Sequence, residues 1–75
     1  MKLTYDPHYN VAYIRFHEKT AEVRTIKVSE ELNVDLSPEG TVYGIELLNA
    51  NDQLSEDAGR LVVESAGKSV ELQLK

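Results

Sequence analysis

The stretch LNVDLSPEGTVYGIELL, residues Leu32–Leu48, decides the fold of this chain. Apolar and polar residues alternate over Leu32–Leu36, and Val42–Leu48 belongs to the most apolar run of the sequence. A period of two is typical of a β-strand that buries one face. Between these runs, Ser37–Gly40 has proline second and glycine last, which favours a type I turn followed by a bulge. The stretch therefore predicts two antiparallel strands joined by a tight turn.

The turn also predicts which residues of the two strands lie opposite each other, because loop length fixes register in a hairpin. The expected pairs are Leu36 with Val42, Asp35 with Tyr43, Val34 with Gly44, and Leu32 with Glu46. This register places Asp35 and Glu46 on opposite faces of the sheet, and it favours a hydrogen bond between Asp35 and Tyr43. Gly44 inside the apolar strand indicates a bend or a close approach of another backbone.

Other short runs with strand character lie on both sides of this hairpin. They are Lys2–Tyr5, Val11–His17, Glu22–Val28, Arg60–Glu64 and Ser69–Leu74. Residues that favour turns separate them. The polar segment 52–58 fits either a loop or a short helix capped by Asn51 and stopped by Gly59. We expect one mainly β domain (or α+β with one short helix) over residues 1–75, a small antiparallel meander of five to seven strands forming a curled sheet or half-barrel.

Size and composition predict self-association. The chain has 75 residues, 41% of them apolar and 28% charged, which is globular composition, and it has no cysteine to form disulfides or thiolate metal sites. A domain this small needs an economical core or a partner subunit. The strand Val42–Leu48 is apolar on both faces and needs cover on both sides. We expect a homo-oligomer, with a dimer favoured.

The charge of the chain narrows the class of partner. Thirteen acidic residues outweigh eight basic ones, giving a net charge of −5, and the basic residues are scattered along the sequence. Clustered bases supply much of the affinity for nucleic acids, so the pattern argues against nucleic-acid binding unless the fold gathers Arg15, Arg24 and Lys27. An acidic surface suits a basic protein partner. No signal peptide or membrane-spanning run is visible, so we expect a cytoplasmic protein without a membrane partner.

Four residues are candidates for a ligand or interface site: Tyr13, Asp35, Tyr43 and Glu46. Apolar neighbours surround Glu46 and could raise its pKa for general acid or base catalysis, but a simpler interpretation is a partly exposed carboxylate paired with Arg15 or Arg24. The tyrosines suit a pocket or, more simply, a core or interface. The two histidines lack the spacing of metal ligands, and no phosphate-binding loop or nucleophile motif occurs. We therefore predict no metal, no cofactor and no catalytic residues.

Five short motifs together resemble a known family. They are Tyr5-Asp6, Ala12–Phe16, Asn33-Val34-Asp35, Glu39-Gly40 and Gly44–Leu48. Over roughly residues 1–50 they resemble the small prokaryotic proteins grouped as domain of unknown function 2283. The resemblance implies a compact β-rich domain without an established activity. It also implies an antitoxin-like role, since some members are encoded beside small toxin-like proteins.

Two hypotheses from different classes remain open at this point. The leading one is an uncharacterised small cytoplasmic protein that acts as a self-associating protein–protein interaction module, with an antitoxin-like role as its specific form. The alternative is a minimal enzyme or small-ligand-binding protein whose site forms at a dimer interface from the four candidate residues. Convergence of those side chains on one cleft would favour the alternative.

Overall fold

The computed structural model describes every residue from Met1 to Lys75. It contains seven strands, β1 (Lys2–Asp6), β2 (Val11–Arg15), β3 (Arg24–Ser29), β4 (Leu32–Leu36), β5 (Val42–Leu48), β6 (Arg60–Ser65) and β7 (Lys68–Gln73). One α-helical turn, α1 (Ala50–Gln53), and one 3-10 turn (Glu56–Gly59) join β5 to β6. The predicted mainly β fold class is therefore confirmed.

The first five strands form one open antiparallel sheet in the order β1-β2-β5-β4-β3, and β6 and β7 form a separate hairpin. Within the sheet, β1 pairs with β2, β3 with β4 and β4 with β5, whereas β2 pairs with β5 instead of with β3. The segment 16–23 therefore passes from one half of the sheet to the opposite edge strand, β3. This crossover segment (residues 16–23) is the longest connection within the five-stranded sheet.

The predicted hairpin between β4 and β5 is confirmed, and its turn has the expected geometry. The Gly40 N–H donates to the Ser37 carbonyl at 3.0 Å, and Gly40 has a φ of 92°, a conformation that glycine adopts at little cost. The Ser37 N–H in turn donates to the Thr41 carbonyl at 2.8 Å. The local turn signals were therefore sufficient to locate this hairpin.

The predicted register of this hairpin is correct only next to the turn. Leu36 pairs with Val42, but the register then shifts, so that Asp35 pairs with Gly44 instead of Tyr43. Tyr43 is thus the extra residue of a β-bulge, which places two residues of one strand opposite one of its partner. The predicted pairs beyond Leu36 are wrong by one position, and Asp35 and Glu46 lie on the same face.

The sheet has one apolar and one polar face, because directly paired residues share a face in every strand. One row across the apolar face consists of Leu3, Ile14, Ile45, Val34 and Ile26. The neighbouring row across the polar face consists of Thr4, Tyr13, Glu46, Asn33 and Lys27. The alternation predicted for Leu32–Leu36 is therefore preserved, whereas β5, which the sequence predicts to be apolar on both faces, has Glu46 on the polar face.

The hairpin β6–β7 covers part of the apolar face and leaves an open groove against it. Nine apolar residues line this apolar groove: Met1, Leu3, Ile14, Leu47, Leu54, Leu61, Val63, Leu72 and Leu74. The end of the chain holds the hairpin in place, since the Leu74 N–H donates to the Gly59 carbonyl and the Lys75 Nζ to the Asn51 carbonyl. The only buried hydrophobic residues are Ala12, Tyr43 and Ala50.

The segment between β5 and β6 matches neither of the two expected forms for 52–58, a loop or one short helix. It contains α1, which begins at Ala50, and a separate 3-10 turn at Glu56–Gly59. Asn51 does not cap a helix, because its Oδ1 accepts a hydrogen bond from the Tyr5 hydroxyl. Buried Ala50 anchors α1 against the sheet, so tertiary packing rather than a local cap places this turn. Neither of these two turns has the length and apolarity to cross a membrane.

The predicted close backbone approach at Gly44 is confirmed. A Cβ atom at this position would lie 2.5 Å from the Ile14 carbonyl oxygen and 2.6 Å from the Tyr13 hydroxyl oxygen. Both distances are shorter than non-bonded atoms allow. Atoms of β2 therefore fill the space above Gly44, and any larger residue at this position must displace both the β2 backbone and the Tyr13 ring.

We expect Gly44→Ala to lower the free energy of unfolding by about 2–3 kcal/mol, because the added methyl group overpacks the sheet against a backbone oxygen. Urea denaturation followed by circular dichroism measures the change. Gly67→Asn is the matched control, since Gly67 has open space around it and asparagine tolerates its φ of 77°. Equal, small effects of the two substitutions would contradict the assigned role of Gly44.

Candidate functional site

A cluster of polar side chains lies at the centre of the polar face and is organised around Tyr13. The Tyr13 hydroxyl, on β2, donates a hydrogen bond of 2.8 Å to Oδ2 of Asp35, on β4. Strand β5 lies between these two strands, and the Tyr13 ring crosses it directly over Gly44. Packing of an aromatic ring over a cross-strand glycine restores the contact that the glycine lacks. Tyr13 therefore connects three adjacent strands.

Asp35 accepts two further hydrogen bonds from different parts of the chain. The Thr25 hydroxyl, on β3, donates to its Oδ1 at 2.7 Å, and the Lys19 Nζ donates to its Oδ2 at 2.8 Å. Asp35 is only 8% exposed, so its carboxylate depends on these donors in place of water. We call the four residues Tyr13, Lys19, Thr25 and Asp35 the Asp35 cluster.

The Asp35 cluster favours one set of charge states. Burial by itself would raise the pKa of Asp35, but the hydrogen bonds from Lys19, Thr25 and Tyr13 outweigh it and hold that pKa below its ordinary value. Hydrogen bonding to Asp35 raises the pKa of Lys19, and burial together with the bond to Asp35 raises the pKa of Tyr13. The arrangement thus keeps the carboxylate and the ammonium charged and the phenol neutral.

Lys19 attaches the crossover segment to the sheet. It is the one cluster member outside a strand, and its Nζ also lies 4.7 Å from the centroid of the Tyr13 ring, a cation–π distance. The start of the segment is fixed separately, because the N–H groups of Phe16 and His17 donate to the Tyr43 carbonyl at 2.7 and 3.1 Å. The crossover segment is therefore held to the sheet at two points.

Glu46 lies on the polar face beside the Asp35 cluster without direct contact to Asp35. Its direct cross-strand neighbours are Tyr13 and Asn33, and its Oε1 accepts a hydrogen bond of 2.9 Å from the Asn33 amide. The expected ion pair with Arg15 or Arg24 is wrong, since Arg15 pairs with Glu18 at 3.8 Å. The part of the prediction that placed Glu46 on the wetter face is correct.

Three of the four candidate residues, Tyr13, Asp35 and Glu46, share the polar face, and Tyr43 does not join them. Tyr43 is the bulge residue and is 6% exposed, and the Asp35 carboxylate accepts its hydrogen bond from the Tyr13 hydroxyl instead of from Tyr43. The sequence offered no signal for Lys19 or Thr25, because their contacts with Asp35 depend on the crossover segment and on the position of β3.

The geometry suits a structural role better than proton transfer. A general base needs an accessible oxygen and a pKa near the working pH, whereas both Asp35 oxygens accept bonds and its pKa is lowered. Nowhere do three His, Asp or Glu side chains gather as metal ligands would. The Asp35 cluster can therefore fix the sheet and the crossover segment, and it offers little for chemistry.

Comparison with known proteins gives one match. A model of the family described as "Protein of unknown function (DUF2283)" matches residues 2–51 of the chain. The matched residues contain all five strands of the sheet and the first residues of α1, whereas the hairpin β6–β7 lies beyond them. No curated protein and no solved structure matches the chain.

We expect Asp35→Asn to lower the free energy of unfolding by about 2 kcal/mol at neutral pH, because hydrogen bonds to a charged partner are lost. The lowered pKa fixes the sign of the pH dependence. The stabilisation is present above the unfolded-state pKa of about 4 and is lost as the pH falls through the lower folded-state pKa. The difference between wild type and variant should therefore shrink in acid.

Urea denaturation at a series of pH values from neutral to acid measures this difference. Glu30→Gln is the matched control, because Glu30 is an exposed carboxylate whose ion pair with Lys27 lies in solvent. Its substitution should change stability little at any pH. A constant difference between wild type and Asp35→Asn across the series would contradict the assigned charge state of Asp35.

Proposed function

Because the chain belongs to the family of proteins of unknown function 2283, we propose its function from the structure: it is a protein–protein interaction module that self-associates. The observation that carries the proposal is the amount of apolar surface that one chain leaves uncovered. The exposed large hydrophobic residues are Met1, Tyr9, Phe16, Ile26, Val28, Val42, Val62, Val63, Val70 and Leu72. No large side chain is fully buried in the single chain.

The apolar groove is the part of this surface that best fits a protein partner. All nine of its lining residues are hydrophobic, and contiguous apolar surface of this kind marks interaction sites. A second copy of the chain is the occupant we propose. A 75-residue chain without disulfides has little other means of completing its core, and an oligomer removes the exposed apolar surface from water.

The organisation of the Asp35 cluster supports an interaction module over an enzyme. A carboxylate that already accepts three hydrogen bonds has no free oxygen with which to take a proton or bind a substrate. The alternative function, a ligand site formed by Tyr13, Asp35, Tyr43 and Glu46, has the support that three of the four share a face. Tyr43 lies apart from them at the bulge, which weakens that alternative.

An antitoxin-like role, in which the module binds a basic protein, is the more specific form of the proposal. The net charge of −5 supports a basic partner, because complementary charge steers and stabilises association. Binding of a basic protein and self-association respond differently to salt. Binding of a basic protein weakens as ionic strength rises, whereas self-association through apolar surface persists or strengthens. Titration with sodium sulfate therefore distinguishes the two.

We expect Val63→Glu to weaken self-association at least tenfold, because it places a charge in the apolar groove that a second copy would cover. Sedimentation equilibrium over a range of concentrations measures the dissociation constant. Val62→Glu is a closely matched control, since Val62 precedes Val63 on β6 and points to the opposite face of the hairpin. The two valines are 39% and 52% exposed, so neither substitution should greatly change the stability of the single chain.

Two results would contradict the proposal. One is a wild-type protein that stays monomeric at every concentration and salt tested. The other is a pair of variants that weaken association equally, which would mean that added charge, and not the groove, is responsible. Circular dichroism of each variant confirms that the comparison is made between folded proteins.

A further inference from the structure

The five-stranded sheet ends in two edge strands, β1 and β3, that differ in how well they are protected against pairing with another chain. Natural proteins protect sheet edges with bulges and lysine side chains. Strand β3 has both, since its register shifts between Lys27 and Ser29, and Lys27 lies in it. Strand β1 also carries a lysine, Lys2, but it has no bulge, and all five of its residues are in register with β2.

The hydrogen-bond pattern identifies which backbone groups of β1 face outward. The Phe16 N–H donates to the Tyr43 carbonyl, so the even-numbered residues of β2 bond towards β5. The odd-numbered residues of β2 therefore bond towards Lys2, Thr4 and Asp6 of β1. It follows that the N–H and C=O groups of Leu3 and Tyr5 point away from the sheet, and no group of the chain bonds to them.

The sequence of β1 is complementary to itself in the antiparallel direction. When two copies pair about a two-fold axis at Thr4, Lys2 lies opposite Asp6 and Leu3 lies opposite Tyr5, each twice. The charged pairs lie on the polar face and the apolar pairs on the apolar face, because each row keeps its face. An in-register pairing of this kind satisfies both the charges and the apolar side chains of the edge.

We propose that two copies of the chain join β1 to β1 about this axis and form one continuous ten-stranded sheet. The outward N–H and C=O groups of Leu3 and Tyr5 supply four hydrogen bonds between the copies. Pro7, which has no N–H, ends the ladder immediately after Asp6. The apolar groove lies at the same edge, since Met1 and Leu3 line it, so edge pairing and groove burial belong to one interface.

Strand β3 offers no comparable pairing with itself. A two-fold axis at Ile26 would place Arg24 opposite Val28 and Thr25 opposite Lys27, which leaves every charge without a partner across the axis. Lys27 already forms an ion pair with Glu30 inside its own chain at 2.9 Å. The choice between the two edges therefore rests on charge complementarity and on the bulge, and both favour β1.

The charge pairs provide the test, which rests on the proposed self-association and examines its mode. Lys2→Asp alone places two carboxylates opposite each other, and Asp6→Lys alone places two ammonium groups opposite each other. Each variant should dimerise about tenfold more weakly than wild type at low ionic strength. An equimolar mixture of the two should restore dimerisation, because both cross-strand pairs of the heterodimer are again opposite in charge.

Matched controls separate edge pairing from a general effect of charge. Lys27→Asp changes the net charge as much as Lys2→Asp does, but on β3, and should leave the dissociation constant unchanged. Asp6→Lys removes the carboxylate that accepts bonds from the His8 and Tyr9 N–H groups, so its folding is checked by circular dichroism. If it does not fold, Thr4→Lys replaces it, because Thr4 lies on the axis and two lysines there would repel.

Amide hydrogen exchange gives an independent readout on the wild-type protein. The Leu3 and Tyr5 amides should exchange rapidly in dilute monomer and slow at least tenfold in the dimer, whereas the outward amide of Lys27 on β3 should not change. If the protein dimerises but Lys2→Asp and Asp6→Lys have no effect and the Leu3 and Tyr5 amides stay unprotected, edge pairing is wrong while the proposed self-association still stands. A wild-type protein that never dimerises would overturn the proposed function as well.

Discussion

The contact on which the structure most depends is the passage of the Tyr13 ring over Gly44 to the carboxylate of Asp35. It joins the hairpin β1–β2 to the three consecutive strands β3, β4 and β5 on the polar face. Lys19 and Thr25 complete the carboxylate's hydrogen bonds, so the same group also fixes the crossover segment and the edge strand β3. A small domain with few buried hydrophobic residues thereby gains order from a satisfied polar network.

Local sequence signals identified most of the fold, and long-range contacts explain what they missed. Alternation and turn residues gave the strands and the hairpin at Ser37–Gly40, because these features depend on neighbouring residues. The bulge at Tyr43 could not be foreseen, since it arises where β5 meets β2 and β4 together. That single extra residue reversed the expected relation of Asp35 to Glu46.

Only part of the candidate site was predicted, again because its long-range contacts leave no signal in the local sequence. Tyr13, Asp35 and Glu46 were identified as polar or aromatic residues in apolar strands, a feature visible in the sequence. The partners that determine their chemistry, Lys19 and Thr25, come from the crossover segment and from the far edge of the sheet. Only the strand order brings these residues to Asp35, so residue type and spacing alone could not separate a reactive carboxylate from a structural one.

The pairing of β5 with β2 has a kinetic consequence. The hairpins β1–β2, β3–β4 and β4–β5 close over short stretches of chain. Tyr13 and Asp35, in contrast, are 22 positions apart, and β2 can pair with β5 only after the chain between them has folded back. Closing the longer loop costs more entropy before any contact offsets it. We therefore expect the two halves of the sheet to form early and to dock in the slowest step, with the tyrosine ring settling over the glycine as the barrier is crossed.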